Sequence, residues 1–71
     1  MEVFSIRLKE ERLNNNYTKK ELAELLEVPL RAYQNYEASG RNHREPDHRM
    51  LVRIATVLKV SIDYLLGKEN E

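Results

Sequence analysis

Cysteine is absent from the chain, and glycine and proline each occur only twice in 71 residues. Without cysteine there is no disulfide scaffold and no thiolate metal site, a usage that fits the cytoplasm. Two glycines leave no glycine-rich loop to cradle a phosphate. Formal net charge is zero, which argues against a protein held to nucleic acid by bulk charge alone. Long apolar runs are missing too. The most apolar stretch, 51–66, is interrupted by Arg53, Lys59 and Asp63, so no membrane span is expected. Met1 to Arg7 has no basic lead followed by an apolar run, so no signal peptide is expected. A domain this short buries only about 60% of its unfolded surface and has little volume for a deep pocket. Ser5, Ser39 and Ser61 have no arguable histidine partner. No enzyme, cofactor or small-molecule ligand is expected.

What is present reads as one globular domain, with 41% hydrophobic and 34% charged residues. The charge is unevenly placed. Residues 29–53 hold Arg31, Arg41, Arg44, Arg49 and Arg53 against Glu37, Glu45 and Asp47, whereas both flanks are slightly acidic. Arginine is the side chain best shaped for phosphate oxygens and guanine edges. No strand alternation and no repeat occurs.

Helical signals are dense. A first helix is expected over 3–14, with Phe4, Leu8, Ile6 and Leu13 at helical spacing and Asn16 as its stop. Thr18-Lys19-Lys20-Glu21 is a capping box opening a second helix, 18–27, with Leu22, Ala23, Leu25 and Leu26 as its buried face. Val28 precedes Pro29 and is pushed out of the helical region. The third helix, 29–38, turns Ala32, Tyr33 and Tyr36 inward and Leu30, Arg31, Gln34 and Asn35 outward. After a polar, basic loop at 39–46, Asp47 caps a fourth helix with the stripe Leu51, Ile54, Ala55 and Leu58. Ser61 caps a last short helix that Gly67 stops. The expected architecture is all-α, a compact five-helix bundle over 1–67 with a frayed tail at 68–71.

Two short helices joined by so tight a turn form a helix-turn-helix signature. They must cross steeply, which projects the outer face of the second. That face suits the major groove. Arginine donates twice to guanine, asparagine or glutamine pairs twice with adenine, and leucine meets a thymine methyl. The plainer reading is an ordinary solvated helix face. Tyr33 and Tyr36 read as core residues before stacking residues. His43 and His48 read as loop and surface histidines rather than metal ligands.

The run YTKKELAELLEVPLRAYQNYE, with REPDHRMLVRIATVLKVSIDYLLG behind it, resembles the Cro-like phage-repressor (XRE) helix-turn-helix family. The resemblance extends from Phe4 to Gly67. It implies the lambda-repressor-like DNA-binding fold, with the third helix as recognition helix and a homodimer on a palindromic operator. It also implies a buried ion pair between Arg12 and Glu37, a phosphate contact at Lys19, and base reading by Leu30, Arg31 and Asn35. Three features depart from the family pattern. Glu27 stands where glycine is common, Pro29 replaces a serine or threonine cap, and the loop 38–45 is long. The expected DNA-binding residues are therefore Thr18, Lys19, Leu30, Arg31, Gln34, Asn35, Arg41, Asn42 and Arg44, and the loop's Arg41, Asn42, His43 and Arg44 are expected to reach phosphates, a minor groove or a dimer partner. The expected activity is transcriptional repression of a promoter, with double-stranded DNA as partner. Dimer contacts are expected from the 39–46 loop, the start of the fourth helix or Ile62. A DNA-binding antitoxin that also grips a partner protein is the alternative, and a protein-interaction module without DNA binding is a further rival.

Overall fold

Most helix ends of this protein are set by a chemical signal within a few residues in the chain. The computed structural model describes residues 2–68. It contains α1 (Glu2–Asn14), α2 (Lys19–Leu26), α3 (Leu30–Glu37), α4 (His48–Leu58) and α5 (Ile62–Leu65), with one 3-10 turn, Gly40–Asn42, between α3 and α4. No strand occurs among the described residues. The all-α, five-helix architecture agrees with the sequence reading.

The N-termini of α2, α4 and α5 are capped by Thr18, Asp47 and Ser61, whose side chains accept from the backbone N–H groups of Glu21, Met50 and Tyr64. Glu21 completes the capping box by accepting from Thr18 N–H at 2.8 Å. Such caps satisfy otherwise orphaned donors and contribute roughly 1 kcal/mol each.

The C-termini of α1, α2, α4 and α5 share one solution, a pair of backbone bonds that folds the chain back over the last turn. At α1 the pair is Asn16 N–H to Leu13 O and Tyr17 N–H to Arg12 O. At α2 it is Glu27 N–H to Glu24 O and Val28 N–H to Ala23 O. At α4 it is Lys59 N–H to Thr56 O and Val60 N–H to Ala55 O. At α5 it is Gly67 N–H to Tyr64 O and Lys68 N–H to Asp63 O. The capped end thus reaches Lys68, and the rest of the expected tail, 69–71, lies outside the described residues.

This motif needs a left-handed residue, yet only α5 uses glycine. Asn16, Glu27 and Lys59 all take φ 61°, at a cost of about 1–2 kcal/mol for a residue with a Cβ. The residue after each is apolar, and Tyr17, Val28 and Val60 all pack against the core. That contact offsets the strain. The turn between α2 and α3 thus takes its left-handed residue at Glu27, without a glycine.

The core comprises Phe4, Leu8, Leu22, Ala23, Leu26, Tyr33, Ile54, Ala55, Leu58 and Leu65. Two sequence expectations fail here. Ile6 and Leu13 are exposed, at 55% and 53%, and Leu25 is exposed at 49%. On α1 the buried row is Phe4, Ser5, Leu8 and Arg12. Two polar residues occupy core positions there, so counting apolar residues places the inward face wrongly. On α2 the inward arc holds Leu22, Ala23 and Leu26, and Leu25 falls one step beyond it.

α1 packs on α3 and α5, α2 packs on α3 and α4, and α4 packs on α5. The main supports of α3 are thus α1 and α2, which leaves its far side at the edge of the bundle.

Candidate nucleic-acid interface

The site is built around the turn 27–29 and the helix it launches. Pro29 sits at the N-cap of α3 with φ −62° and ψ 149° and makes no side-chain cap bond. Proline has no N–H to satisfy and its φ is already suited to a helix start. Arg53 of α4 braces the turn from behind, its Nη1 donating to Leu26 O at 2.9 Å. The same guanidinium lies 3.8 Å from the Glu27 carboxylate, but both side chains are well exposed, so that ion pair contributes little.

α3 has two unlike sides. Tyr33 is 0% exposed and plugs the core. Leu30 and Gln34 form one outer row at i, i+4, and Arg31 and Asn35 form the next. Leu30, Arg31 and Gln34 are exposed and Asn35 is half-buried. Among the described residues, the side chains of Arg31, Gln34 and Asn35 make no hydrogen bond or ion pair, leaving their donors and acceptors to the outside. Leu30 stands among them 40% exposed.

The inner side carries a buried polar knot. Arg12 Nε donates to Glu37 Oε2 at 2.7 Å and Nη2 donates to Oε1 at 3.4 Å. Arg12 Nη1 donates to Tyr17 O at 3.0 Å, and the Tyr33 hydroxyl donates to Glu37 Oε2. The Arg12 and Glu37 side chains are only 8% and 5% exposed. The guanidinium pKa is raised, first by its hydrogen bond to Glu37. That of the Tyr33 hydroxyl is raised strongly, first by burial and then by its bond to the same carboxylate. The Arg12–Glu37 pair implied by the family resemblance is therefore present, and Tyr33 joins it.

The remaining expected residues fall into two groups. Thr18 and Lys19 are exposed at the start of α2. Thr18 Oγ1 accepts from Glu21 N–H at 3.0 Å, which leaves its own hydroxyl hydrogen to donate outward. Arg41 and Asn42 lie exposed in the 3-10 turn, and Arg44 is exposed just after it. The loop returns to α3: Arg44 N–H donates to Asn35 O at 3.0 Å. The Arg44 guanidinium folds over its own loop, donating to Arg41 O at 3.2 Å and His43 O at 2.9 Å. The structure thus joins the loop to α3 through the backbone.

A helix-turn-helix family model matches residues 8–65. The chain belongs to the XRE-type helix-turn-helix family. It is 44% identical over 64 residues to the HTH-type transcriptional regulator ImmR of Bacillus subtilis (strain 168), covering 90% of this chain and 48% of ImmR. It is 40% identical over 70 residues to the uncharacterized HTH-type transcriptional regulator YqaE of the same strain, covering 97% of this chain and 58% of YqaE. The SPbeta prophage-derived uncharacterized HTH-type transcriptional regulator YonR, also from that strain, is 33% identical over 64 residues, with 90% of this chain and 56% of YonR covered. The chain spans about half the length of these curated relatives. No solved structure gives a significant match. Among the described residues no helix is long and apolar enough to cross a membrane.

Within this helix-turn-helix frame, three supporting residues escaped the sequence reading. Arg53 was counted only as charge. Ser5 was considered only as a nucleophile, although a small hydroxyl among the inward positions of α1 is a signal for a neighbouring carbonyl. His43 was read as a loop histidine reaching outward with Arg41, Asn42 and Arg44, but its side chain is only 12% exposed. No residue pattern near His43 announces that burial, because it depends on the loop folding back to α1.

Proposed function

We propose that this chain is a sequence-specific DNA-binding transcriptional regulator. As a homodimer it places α3 of each protomer in successive major grooves of a palindromic operator, with half-sites about 34–36 Å apart. The observation that carries this reading is the two-sidedness of α3. Tyr33 and Glu37 anchor it inward, while Leu30, Arg31 and Gln34 stand exposed with Asn35 beside them. Arg31 reads guanine, Asn35 or Gln34 reads adenine, and Leu30 meets a thymine methyl. Thr18, Lys19, Arg41, Asn42 and Arg44 fix register on the phosphates. Zero net charge fits a protein whose grip is local, from the arginines of 29–53, rather than a general attraction to polyanions. The names of the relatives, all transcriptional regulators, agree. Bound over a promoter, such a dimer represses by excluding polymerase.

The test is selection of duplexes from a random pool by the wild-type chain and by Arg31→Ala. Wild type should enrich a two-fold symmetric site. Arg31→Ala should keep its fold and lose about 1–3 kcal/mol of discrimination at one base position of each half-site. A pool that stays random with wild-type protein at low salt refutes the reading.

A further inference from the structure

α3 ends unlike the other helices. Its C-cap, Ala38, is extended, with φ −70° and ψ 161°, so no left-handed turn folds back to cover the last carbonyls. Their partners come from elsewhere in the chain. Asn35 O accepts from Arg44 N–H. Ser5 Oγ from α1 lies 3.2 Å from both Tyr36 O and Ala38 O. His43 Nδ1 lies 3.0 Å from Ala38 O and 3.2 Å from Ser5 Oγ. A carbonyl oxygen only accepts, so Nδ1 carries a proton and donates. The ring's other nitrogen, Nε2, is sealed from solvent and has no hydrogen-bond partner among the described residues, with Glu45 Oε2 at 3.7 Å. The ring is therefore held by its Nδ1 side. Arg44, whose backbone closes on α3, is the next residue, and the exposed Arg41 lies two residues before His43.

We propose that His43 is a positioning residue for DNA binding: by donating from Nδ1 to Ala38 O beside Ser5, it pins the 39–46 loop to the end of α3 and holds Arg41 and Arg44 next to the base-reading face. This rests on the DNA-binding reading above. The pin removes chain freedom before binding. Without it, the cost of ordering the loop when DNA arrives exceeds the gain from one phosphate contact, so that contact is lost and association weakens. His43 itself touches no DNA and acts through the two arginines.

The experiment uses the full chain and the duplex that wild type enriches best. Affinity is measured across a salt series for wild type, His43→Phe, His43→Asn, the double variant Arg41→Ala/Arg44→Ala, and that double variant with His43→Phe added. Phenylalanine keeps a ring and loses the donor. Asparagine places an amide N–H near the position of Nδ1. Each phosphate contact adds about 0.9 to the slope of log affinity against log salt, which is on the order of tenfold in affinity at 0.1 M salt. His43→Phe should weaken binding by about that factor and flatten the slope by about one. His43→Asn should stay within about twofold of wild type, and His43→Phe should add nothing once both arginines are gone. A wild-type slope in His43→Phe, or an equal loss in the arginine-free background, overturns the proposal and leaves the DNA-binding reading standing. A wild-type chain that retains no duplex overturns both.

Discussion

Glu37→Ala is the sharpest test of how this domain holds α3. In the native structure one carboxylate with 5% exposure receives two guanidinium nitrogens and a tyrosine hydroxyl. Removing it leaves Arg12, with 8% exposure, holding a charge with no carboxylate against it among the described residues, answered by Tyr17 O and the Tyr33 hydroxyl. Breaking a buried pair by deleting one partner costs about 3–5 kcal/mol, most of it the penalty of the stranded charge. The Tyr33 hydroxyl loses its acceptor as well, for roughly 1 kcal/mol or more. At 0.05–0.15 kcal/mol per residue, a chain of this size has only about 4–10 kcal/mol in total. Glu37→Ala should therefore remove about half of the stability or more. Urea unfolding followed by far-UV circular dichroism measures this directly, and the midpoint should fall by about 2 M or more with an unchanged m-value. Glu37→Gln, which keeps an acceptor but not the charge, should fall between. Replacing both residues, Arg12→Met with Glu37→Met, should recover at least about 2 kcal/mol relative to Glu37→Ala, because the uncompensated charge is gone. A Glu37→Ala domain within about 1 kcal/mol of wild type would refute this account of the knot.

Three further outcomes follow from the geometry. Lys59→Gly should raise stability by roughly 1 kcal/mol, since φ 61° strains lysine and not glycine; a lower melting temperature would contradict it. Gly67→Ala should lower stability by about 1–2 kcal/mol, because the residue has φ 84° and an added Cβ would lie 2.9 Å from Val3 Cγ1; the melting temperature checks it. The Tyr33 pKa is raised in the folded state, so its contribution is fully present below about pH 10 and is lost as pH climbs above that. Stability should fall there by up to about 1.4 kcal/mol per pH unit from Tyr33, and Tyr33→Phe should make the descent measurably shallower in alkaline urea titrations.

Much of this fold was legible because its signals are local. Thr18, Asp47 and Ser61 cap helices by bonds that span three residues, and the proline at 29 fixes one boundary without help from elsewhere. The outer rows of α3 follow from helical spacing alone. What was not legible depends on non-local partners. Apolar spacing gave no reason for Ser5 or Arg12 to be buried, because their places in the core are justified by Tyr36 O, Ala38 O and Glu37, more than twenty residues away in the chain. Ile6 and Leu13 were grouped with Phe4 and Leu8 by helical spacing, and hydrophobic spacing cannot tell an apolar core position from a polar one that has found its partner. The Arg12–Glu37 pair became visible only through resemblance to a family, which carries tertiary information that a single sequence lacks.

That division has a consequence for α3. Four helices finish on their own backbone, so their ends are set by a few adjacent residues. The end of α3 is set instead by Ser5 of α1 and by the returning loop, and its inner face by Arg12 of α1. The helix proposed to read bases is thus the one whose placement relies most on distant partners. A base-reading helix must be held to within a fraction of an ångström in a groove, and an eight-residue helix is too short to hold itself. Rigid attachment through α1 meets that need. It also means that substitutions on α1, on the side away from the proposed DNA face, should alter operator affinity. Ser5→Ala, which removes one hydroxyl and leaves Leu30, Arg31, Gln34 and Asn35 untouched, is the mildest such change. It should weaken binding several-fold at a cost of only about 1 kcal/mol in stability, measured by operator titration beside urea unfolding. Equal affinity in Ser5→Ala and wild type would show that α3 needs no such support.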